Sequence, residues 1–249
     1  MIRFFCVLTL FLASSTLTLA FDISNMTDRE RTKFGEEVRQ YLLKNPSVIV
    51  DVFQVLEERK AEESQQHDKK VLAQHADAIF SDNHSWVGGN PNGDIALVEF
   101  LDYRCGYCRR AAPEVARLLA EDSNLKLIVK EFPILGDSSV LMARFAIATL
   151  KFAGAEAYKK VHDALIELEG DAAIDTLRAL ATDLNLDANV IFAHLDDPHI
   201  TDAIEANYEL ARVLNISGTP SFILPNIIIR GFLPAAKLQE RITSAREQG

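Results

Sequence analysis

Two cysteines separated by two positions, Cys105-Gly106-Tyr107-Cys108, are the residues in this sequence best suited to chemistry. The spacer lets the second sulfur reach the first across one helical turn, so Cys108 can resolve a mixed disulfide formed at Cys105. A disulfide that closes so short a loop removes little chain entropy, which disfavours a purely structural role. We therefore predict a redox-active pair with Cys105 as the nucleophile and Cys108 as the resolving thiol.

The pair follows a predicted buried strand, 95–101, and precedes a predicted helix, 109–121. Free N–H groups and the positive end of the dipole at a helix N-terminus favour a thiolate, so we expect a lowered pKa at Cys105. Arg104, Arg109 and Arg110 add positive charge nearby. A C-x-x-C motif at a strand-to-helix junction indicates thiol–disulfide chemistry more strongly than the bare motif does.

Metal-binding uses of the same cysteines fit the sequence poorly. Attachment of a c-type haem needs a histidine where Arg109 stands. A zinc site needs two more ligands, and the spaced pair His194 and His199 lies far downstream in a helical region. We therefore predict neither a metal site nor a cofactor.

Glu99 interrupts the apolar run from Ile95 to Leu101. A carboxylate in a strand buried on both faces is costly unless it has a partner or a role. Because Glu99 lies six residues before Cys105, we predict that it sits beneath the pair and relays a proton from Cys108. The alternative is an edge strand that leaves Glu99 in water.

Thr219-Pro220 comes directly before a predicted strand, 221–224. A proline at this position can adopt a cis bond in a tight turn. The carbonyl and N–H of Thr219 would then be free to pair with an extended substrate.

Three stretches resemble the DsbA family of bacterial periplasmic disulfide oxidoreductases: 98–108, 131–135 and 218–222. The match spans about residues 84–246. Within the family, the chain is most similar to the suppressor-of-copper-sensitivity protein C branch (ScsC-like), whose members carry a helical N-terminal extension like residues 22–80.

The resemblance implies a thioredoxin fold with a helical insertion, Glu99 as the buried acid and Thr219-Pro220 as the cis-proline loop. It also implies a substrate-binding surface at Thr219, Pro220, Gly106 and Tyr107. Its clients would be unfolded or wrongly disulfide-bonded exported proteins, and a membrane redox partner would reset the pair. Gly106-Tyr107 departs from the Pro-His of the family's strongest oxidant, which leaves the oxidising strength open.

The elements that must position these residues predict an α/β protein. A strand at 95–101, a helix at 109–121 and a strand at 125–132 form a β-α-β unit, and 138–214 is helical throughout. Strands at 221–224 and 227–230 and a helix from about Pro234 complete the chain. We predict a sheet with a helical insertion as one domain over 83–249.

Residues 21–82 are predicted to form a separate helical region. Thr27-x-x-Glu30 is a capping box, and residues 48–56 make a broad apolar face followed by a charged stretch, 57–70. Residues 83–94 are rich in Gly, Asn and Pro, which predicts a boundary loop. We expect the apolar face to form a homo-oligomer through residues 22–80; packing onto its own catalytic domain is the alternative.

The first twenty residues predict a signal peptide. Arg3 precedes an apolar stretch, 4–12, which is shorter than a membrane span, and cleavage is expected after Ala20. Cys6 and Arg3 leave with it, so 25 basic and 36 acidic residues remain, a net charge of −11. This surface argues against nucleic acid as a partner. We expect a periplasmic protein.

Three functions stay open at this point. A monomer would mainly donate disulfides to exported proteins. An oligomer with facing active sites could also isomerise wrong disulfides. In the third, the thiolates of Cys105 and Cys108 bind soft Cu(I) and serve copper tolerance.

Overall fold

In this computed structural model, residues 23–170 and 172–248 are described, and they divide into two compact units between Arg59 and Lys60. The predicted signal peptide, 1–20, lies outside the described residues. Among the residues that the structure describes, no helix has the length and apolar character needed to cross a membrane.

Helices make up the first unit. A 3-10 turn, Ile23–Asn25, precedes α1, Asp28–Lys44, and α2 begins at Ser47 and continues to Gln74 across the division. The predicted capping box is confirmed, because the Thr27 N–H donates to Glu30 Oε2 at 2.9 Å and the Thr27 hydroxyl accepts from the Glu30 N–H. None of the residues of α1 is buried.

Ten large apolar side chains of the first unit are exposed, and we call them the N-terminal apolar face. Their exposed fractions run from 41% at Val38 to 65% at Leu43. They are Phe34, Val38, Tyr41, Leu43, Ile49, Val50, Val52, Phe53, Val55 and Leu56.

A five-stranded sheet in the order β1-β3-β2-β4-β5 forms the centre of the second unit. Its strands are β1 Trp86–Gly89, β2 Ile95–Leu101, β3 Leu125–Glu131, β4 Ser221–Leu224 and β5 Ile227–Arg230. Only β2 and β3 run parallel, and the crossover between them contains α4, Gly106–Glu121. The β4–β5 hairpin extends the sheet on the other side of β2. The predicted α/β class is confirmed.

The helical insertion lies between β3 and β4, as predicted. It contains α5 Asp137–Ala153, α6 Ala155–Glu167, α7 Ile174–Asp183, α8 Ala188–Ala193 and α9 Pro198–Val213. Gly154 separates α5 from α6. Its φ is +90°, a backbone conformation that residues with a side chain rarely adopt. A final helix, α10, covers Ala235–Gln248.

Alternating residues of β2 and β3 face two separate apolar clusters. Leu97, Leu101 and Val129 belong to the larger cluster, which includes residues of α4, α5, α6 and α10. Val98 and Ile128 belong to the smaller one. Because both faces are covered, β2 is apolar except for Glu99, whereas β3 also carries Lys126, Lys130 and Glu131.

The prediction of a loop over 83–94 is wrong for residues 86–89. Trp86–Gly89 forms β1, an antiparallel edge strand that pairs with β3. The Trp86 indole N–H donates to the Ala155 carbonyl at 3.0 Å, and a Cβ at Gly88 would lie 2.1 Å from the indole. The glycines that indicated a loop are therefore needed for close packing.

The second unit also begins earlier than the predicted domain boundary at 83. The end of α2 and the short helix α3, Ala76–Phe80, contribute Val71, Leu72 and Ile79 to the smaller cluster. Asp68 accepts two hydrogen bonds from Arg230, at 2.9 and 3.0 Å. Composition marks the surface loop after residue 82 but does not show which preceding helix packs into the core.

Candidate active site

The end of β2 and the start of α4 hold the two cysteines. Cys105 is the N-cap of α4 and half-buried, whereas Cys108 lies in the first turn and is fully buried. The Cys105 N–H donates to the Asp102 carbonyl at 3.0 Å, and the Cys105 carbonyl accepts from the Arg109 N–H at 3.1 Å. Both sulfurs are free thiols, so this is the reduced state.

The environments of the two sulfurs drive their pKa values apart. A hydrogen bond from the Cys108 thiol, then the Thr219 side chain and the N–H groups of Cys108 and Tyr107, lower the pKa of Cys105 to about 5. The pKa of Cys108 is raised because its thiol hydrogen-bonds to Cys105, because it is buried, and because the charge of Glu99 lies near. The lowered pKa expected at Cys105 is therefore present.

The arginines contribute differently from the sequence prediction. Arg109 donates to the backbone carbonyls of Tyr103, at 3.2 Å, and Leu168. The guanidinium of Arg110 lies 5.6 Å from the centre of the Tyr107 ring. Hydrogen bonds from Cys108, from Thr219 and from the first N–H groups of α4, rather than the arginine side chains, lower the pKa of Cys105.

Thr219-Pro220 lies next to Cys105, and its peptide bond is cis, as predicted. The Cys105 thiol donates to the Thr219 carbonyl at 3.1 Å. That carbonyl, expected to be free for a substrate strand, thus already accepts a hydrogen bond from Cys105 in the reduced protein. Pro220 is buried and Thr219 partly exposed.

The prediction that Glu99 is buried is confirmed, since only 5% of the residue is exposed. Its strand lies between β3 and β4, which excludes the edge-strand alternative. Burial, and then the charge of Glu131, raise the pKa of Glu99 to about 8. Its charge in turn contributes to the raised pKa of Cys108, which puts the carboxyl within electrostatic reach of the resolving thiol.

Two further carboxyls were not predicted as site residues. Glu131, at the end of β3, accepts hydrogen bonds on Oε1 from the hydroxyls of Tyr103 at 2.7 Å and Tyr158 at 2.6 Å. A signal was present, because Glu131 is a carboxyl at the end of a predicted strand, as Glu99 is a carboxyl within one.

Asp102 is the other. Its Oδ1 accepts from the Arg104 N–H and the Ser139 hydroxyl, both at 2.8 Å. Its Oδ2 accepts from the N–H groups of Ile134, at 2.7 Å, and Leu135, at 3.0 Å. These bonds tie the loop that carries Cys105 to the loop after β3, a role that only the tertiary structure reveals.

The surface around Cys105 contains exposed apolar groups. Tyr107 is 57% exposed and Leu135 is 43% exposed, and Gly106 is also exposed. The Leu135 carbonyl accepts from Arg104 at 2.9 Å, which holds this loop beside the cysteine loop. Elsewhere in the described ranges, no group of three or more His, Cys, Asp or Glu side chains is arranged to hold a metal ion.

Comparisons with known proteins agree with this geometry. The family of DSBA-like thioredoxin domains matches residues 96–243, and the copper resistance protein ScsC N-terminal domain matches residues 30–63. A thioredoxin-like oxidoreductase from Silicibacter pomeroyi DSS-3 is 37% identical over 69% of this chain and 97% of its own, with a TM-score of 0.65. Proteus mirabilis ScsC in a transitional conformation covers 90% of this chain and 100% of its own, with a TM-score of 0.67 at 23% identity, a likeness of fold alone. The thioredoxin fold and the resemblance to both families are confirmed.

A curated relative differs in its overall size. The Na(+)/H(+) antiporter NhaA 1 of Salinispora arenicola (strain CNS-205) is 28% identical over 160 residues, or 64% of this chain. The chain spans about a quarter (24%) of that antiporter's length, so the similarity concerns one part of a longer protein.

The lowered pKa of Cys105 predicts selective alkylation. In the reduced protein, iodoacetamide should modify Cys105 with a pH midpoint near 5 and leave Cys108 unmodified, as measured by mass spectrometry after short pulses. Cys108→Ala removes the hydrogen bond that contributes most to the lowered pKa of Cys105, so the pH midpoint for labelling Cys105 should move upward. Cys105→Ser is the control and should incorporate no label. Preferential labelling of Cys108 would contradict the assignment of the nucleophile.

The raised pKa of Glu99 predicts that replacing this carboxyl stabilises the protein by an amount that grows with pH. The folded protein keeps a proton that the unfolded chain releases near pH 4.5, so this group lowers the free energy of unfolding as pH rises towards about 8. Glu99→Gln should therefore be more stable than wild type by roughly 2–4 kcal/mol at pH 8 and by little at pH 4.5. Urea unfolding of the reduced proteins measures this. The exposed Glu205→Gln should show no such trend, and an equal effect of Glu99→Gln at both pH values would refute burial as the cause.

Proposed function

We propose that this chain, which belongs to the family of DSBA-like thioredoxin domains, is a thiol–disulfide oxidoreductase that acts through Cys105-Gly106-Tyr107-Cys108. One observation carries the proposal: a half-buried thiol with a pKa near 5 lies beside a fully buried thiol with a raised pKa. The first can leave as a thiolate or attack a disulfide at neutral pH, and the second keeps its proton until it resolves the intermediate.

In the oxidising direction, a substrate thiolate attacks Cys105 of the oxidised pair. A bond forms between the substrate sulfur and Cys105, the bond between Cys105 and Cys108 breaks, and Cys108 leaves as a thiolate that takes a proton from Glu99. A second substrate thiolate then attacks the substrate sulfur of the mixed disulfide, and Cys105 leaves as the stable thiolate. The substrate loses two electrons and the cysteine pair gains them.

The substrate-binding surface in this proposal comprises Gly106, Tyr107, Thr219 and Pro220. Gly106 and Tyr107 present exposed surface beside Cys105, and the Thr219 carbonyl lies at its sulfur. When Cys105 is a thiolate or a mixed disulfide it no longer donates to this carbonyl, which can then accept from the backbone of an extended client. Unfolded exported proteins, which expose such backbone, are the proposed clients.

The proposed location is the periplasm, in keeping with the signal peptide predicted at residues 1–20. Disulfides persist in that compartment, and a membrane partner would return the pair to its working redox state. The absence of other cysteines from residues 21–249 leaves the pair to act without competing thiols in its own chain.

The N-terminal apolar face supports a homo-oligomer, dimer or trimer, in which a second copy of this chain covers the face. Ten exposed apolar side chains within 34–56 are more than a solvated helical region usually carries. A closed symmetric assembly would bring several Cys105 sites together, and that arrangement favours isomerisation over simple oxidation.

A second candidate function is copper handling, favoured by the match of residues 30–63 to a copper resistance domain. Paired thiolates are suitable ligands for Cu(I). The two functions differ in a Cu(I) titration of the reduced protein against a competing chelator: tight stoichiometric binding lost in Cys105→Ser, without disulfide exchange, would favour the copper function.

A trapping experiment tests the proposed exchange. With a model protein of scrambled disulfides, Cys108→Ala should accumulate mixed disulfides through Cys105, because the resolving thiol is absent. Non-reducing electrophoresis and peptide mapping identify the adduct. Cys105→Ser should form none and should lose nearly all exchange activity. Adducts on Cys108 in Cys105→Ser, at the rate of the wild type, would overturn the proposal.

Light scattering tests the assembly. The mature chain should have the mass of a dimer or trimer at micromolar concentration, and Phe53→Asp should yield a folded monomer, because a charge in an apolar interface is costly. This monomer should keep dithiol oxidation and lose most reshuffling of scrambled disulfides. Val190→Asp, at an exposed apolar side chain of the second unit, is the matched control. A monomeric wild type would leave oxidation as the proposed activity.

A further inference from the structure

Glu131 is a buried carboxyl that the thiol chemistry described above does not use. Only 4% of the residue is exposed. Its Oε1 accepts hydrogen bonds from the hydroxyls of Tyr103 and Tyr158, and its Oε2 is buried without a hydrogen-bond partner among the described residues. A buried carboxyl that is half satisfied is costly, so its retention calls for a physical reason.

Strand register brings Glu131 close to Glu99. In the parallel β2–β3 pair, Glu99 lies opposite Val129 and Leu101 lies opposite Glu131. The two carboxyls therefore share one face of the sheet and are offset by two residues on adjacent strands. Neighbouring residues on that face belong to the larger apolar cluster, so little water separates the two groups.

Other polar groups surround this pair. Tyr103 and Tyr158 face Glu131, and His162 Nδ1 lies 3.2 Å from the Tyr103 hydroxyl. Asp102 adds a charge that raises the pKa of Glu131, and Cys108 is the group that Glu99 faces from α4. Glu131 also lines a cavity of about 10 Å³ together with His84 and Asn207, room for about one water molecule.

We propose that Glu99 and Glu131 form a coupled acid pair whose first ionisation leaves one proton between them, with Glu131 as the positioning residue that sets the pH at which Glu99 exchanges a proton with Cys108. The inference deepens the proposed thiol–disulfide exchange and rests on it. Two carboxylates on one dry face repel each other, so the second ionisation is displaced to higher pH.

The tyrosine hydroxyls decide which carboxyl keeps the shared proton. Both donate to Glu131, and hydrogen bonds to the charged form favour it. Glu131 therefore ionises first, and the proton stays on Glu99, the carboxyl that faces Cys108. The pKa of each carboxyl is raised to about 8 by burial, which keeps this exchange near physiological pH.

The step affected is the resolution of a mixed disulfide at Cys105. Ionised Glu99 takes the proton of the Cys108 thiol, and the resulting thiolate attacks the Cys105 sulfur. The bond between Cys105 and Cys108 forms, the bond between Cys105 and the substrate sulfur breaks, and the substrate leaves as a thiolate. The charge of Glu131 raises the pH at which Glu99 becomes ionised and able to act.

A chromogenic aryl disulfide separates this step in the reduced full-length mature protein. Attack by Cys105 releases a first aryl thiolate, and attack by Cys108 on the mixed disulfide releases a second. The rate of the second phase is measured against pH by stopped-flow absorbance. In the wild type, this rate should rise with a midpoint near 8. In Glu131→Gln, the midpoint should fall by about one pH unit, because the neighbouring charge is gone.

Three variants control for structural effects. Glu131→Asp keeps the charge, so the midpoint should stay near that of the wild type. Tyr158→Phe removes a donor to ionised Glu131, so Glu131 carries less charge at a given pH and the midpoint should fall, by less than in Glu131→Gln. Glu99→Gln should lose the titration altogether. Circular dichroism verifies the fold of each variant, and Tyr158→Phe carries the test if Glu131→Gln does not fold.

The outcomes distinguish the inference from the function on which it rests. A wild type with no second phase refutes thiol–disulfide exchange itself. A normal second phase whose midpoint is the same in wild type, Glu131→Gln and Tyr158→Phe overturns the coupled pair and leaves the exchange intact. A shift in Glu131→Asp equal to that in Glu131→Gln would show a merely structural role and also overturns it.

Discussion

The hydrogen bond between the two cysteine thiols is the interaction on which the candidate site depends. Cys105 is the N-cap of α4 and Cys108 lies in its first turn, which brings the buried side chain within hydrogen-bonding reach of the half-buried sulfur. One contact thus lowers one pKa and raises the other. The rest of the site holds this geometry: Asp102 anchors the loop before Cys105 through four hydrogen bonds, and the Thr219 carbonyl reaches the sulfur from the loop before β4.

Beneath the cysteines, the sheet carries ionisable groups in an environment that disfavours charge. Glu99 and Glu131 each have a raised pKa because they are buried. The charge of Glu131 further raises the pKa of Glu99, and the charge of Glu99 raises the pKa of Cys108. Such groups lower the stability of the fold near neutral pH. Their value lies in chemistry, because a carboxyl that is half ionised near physiological pH can both give and take a proton.

The two units satisfy apolar burial in different ways. The second unit covers both faces of its sheet, and its central strands are among the most buried segments that the structure describes. The first unit has a regular, well-capped helix with none of its residues buried. Capping and helical periodicity are enough to form that helix but give it little core of its own. The exposed apolar side chains of the first unit are therefore available to a partner chain, whereas the second unit buries its apolar side chains in its own two clusters.

The sequence alone determined whatever depends on neighbouring residues. Alternation, helical periodicity and breaker residues located β2, β4, β5 and the breaks within the helical insertion, and the Thr27–Glu30 box located the start of α1. The C-x-x-C junction, Glu99 and Thr219-Pro220 were recognisable as site residues because each breaks a local rule. Tertiary structure decided what depends on register and packing: β1 as an edge strand, the packing of 68–80 into the second unit, and Glu131 beside Glu99. The physical reason is that distance along the chain sets local conformation, whereas the approach of two carboxyls on adjacent strands is set by the pairing of those strands, which no single stretch of sequence contains.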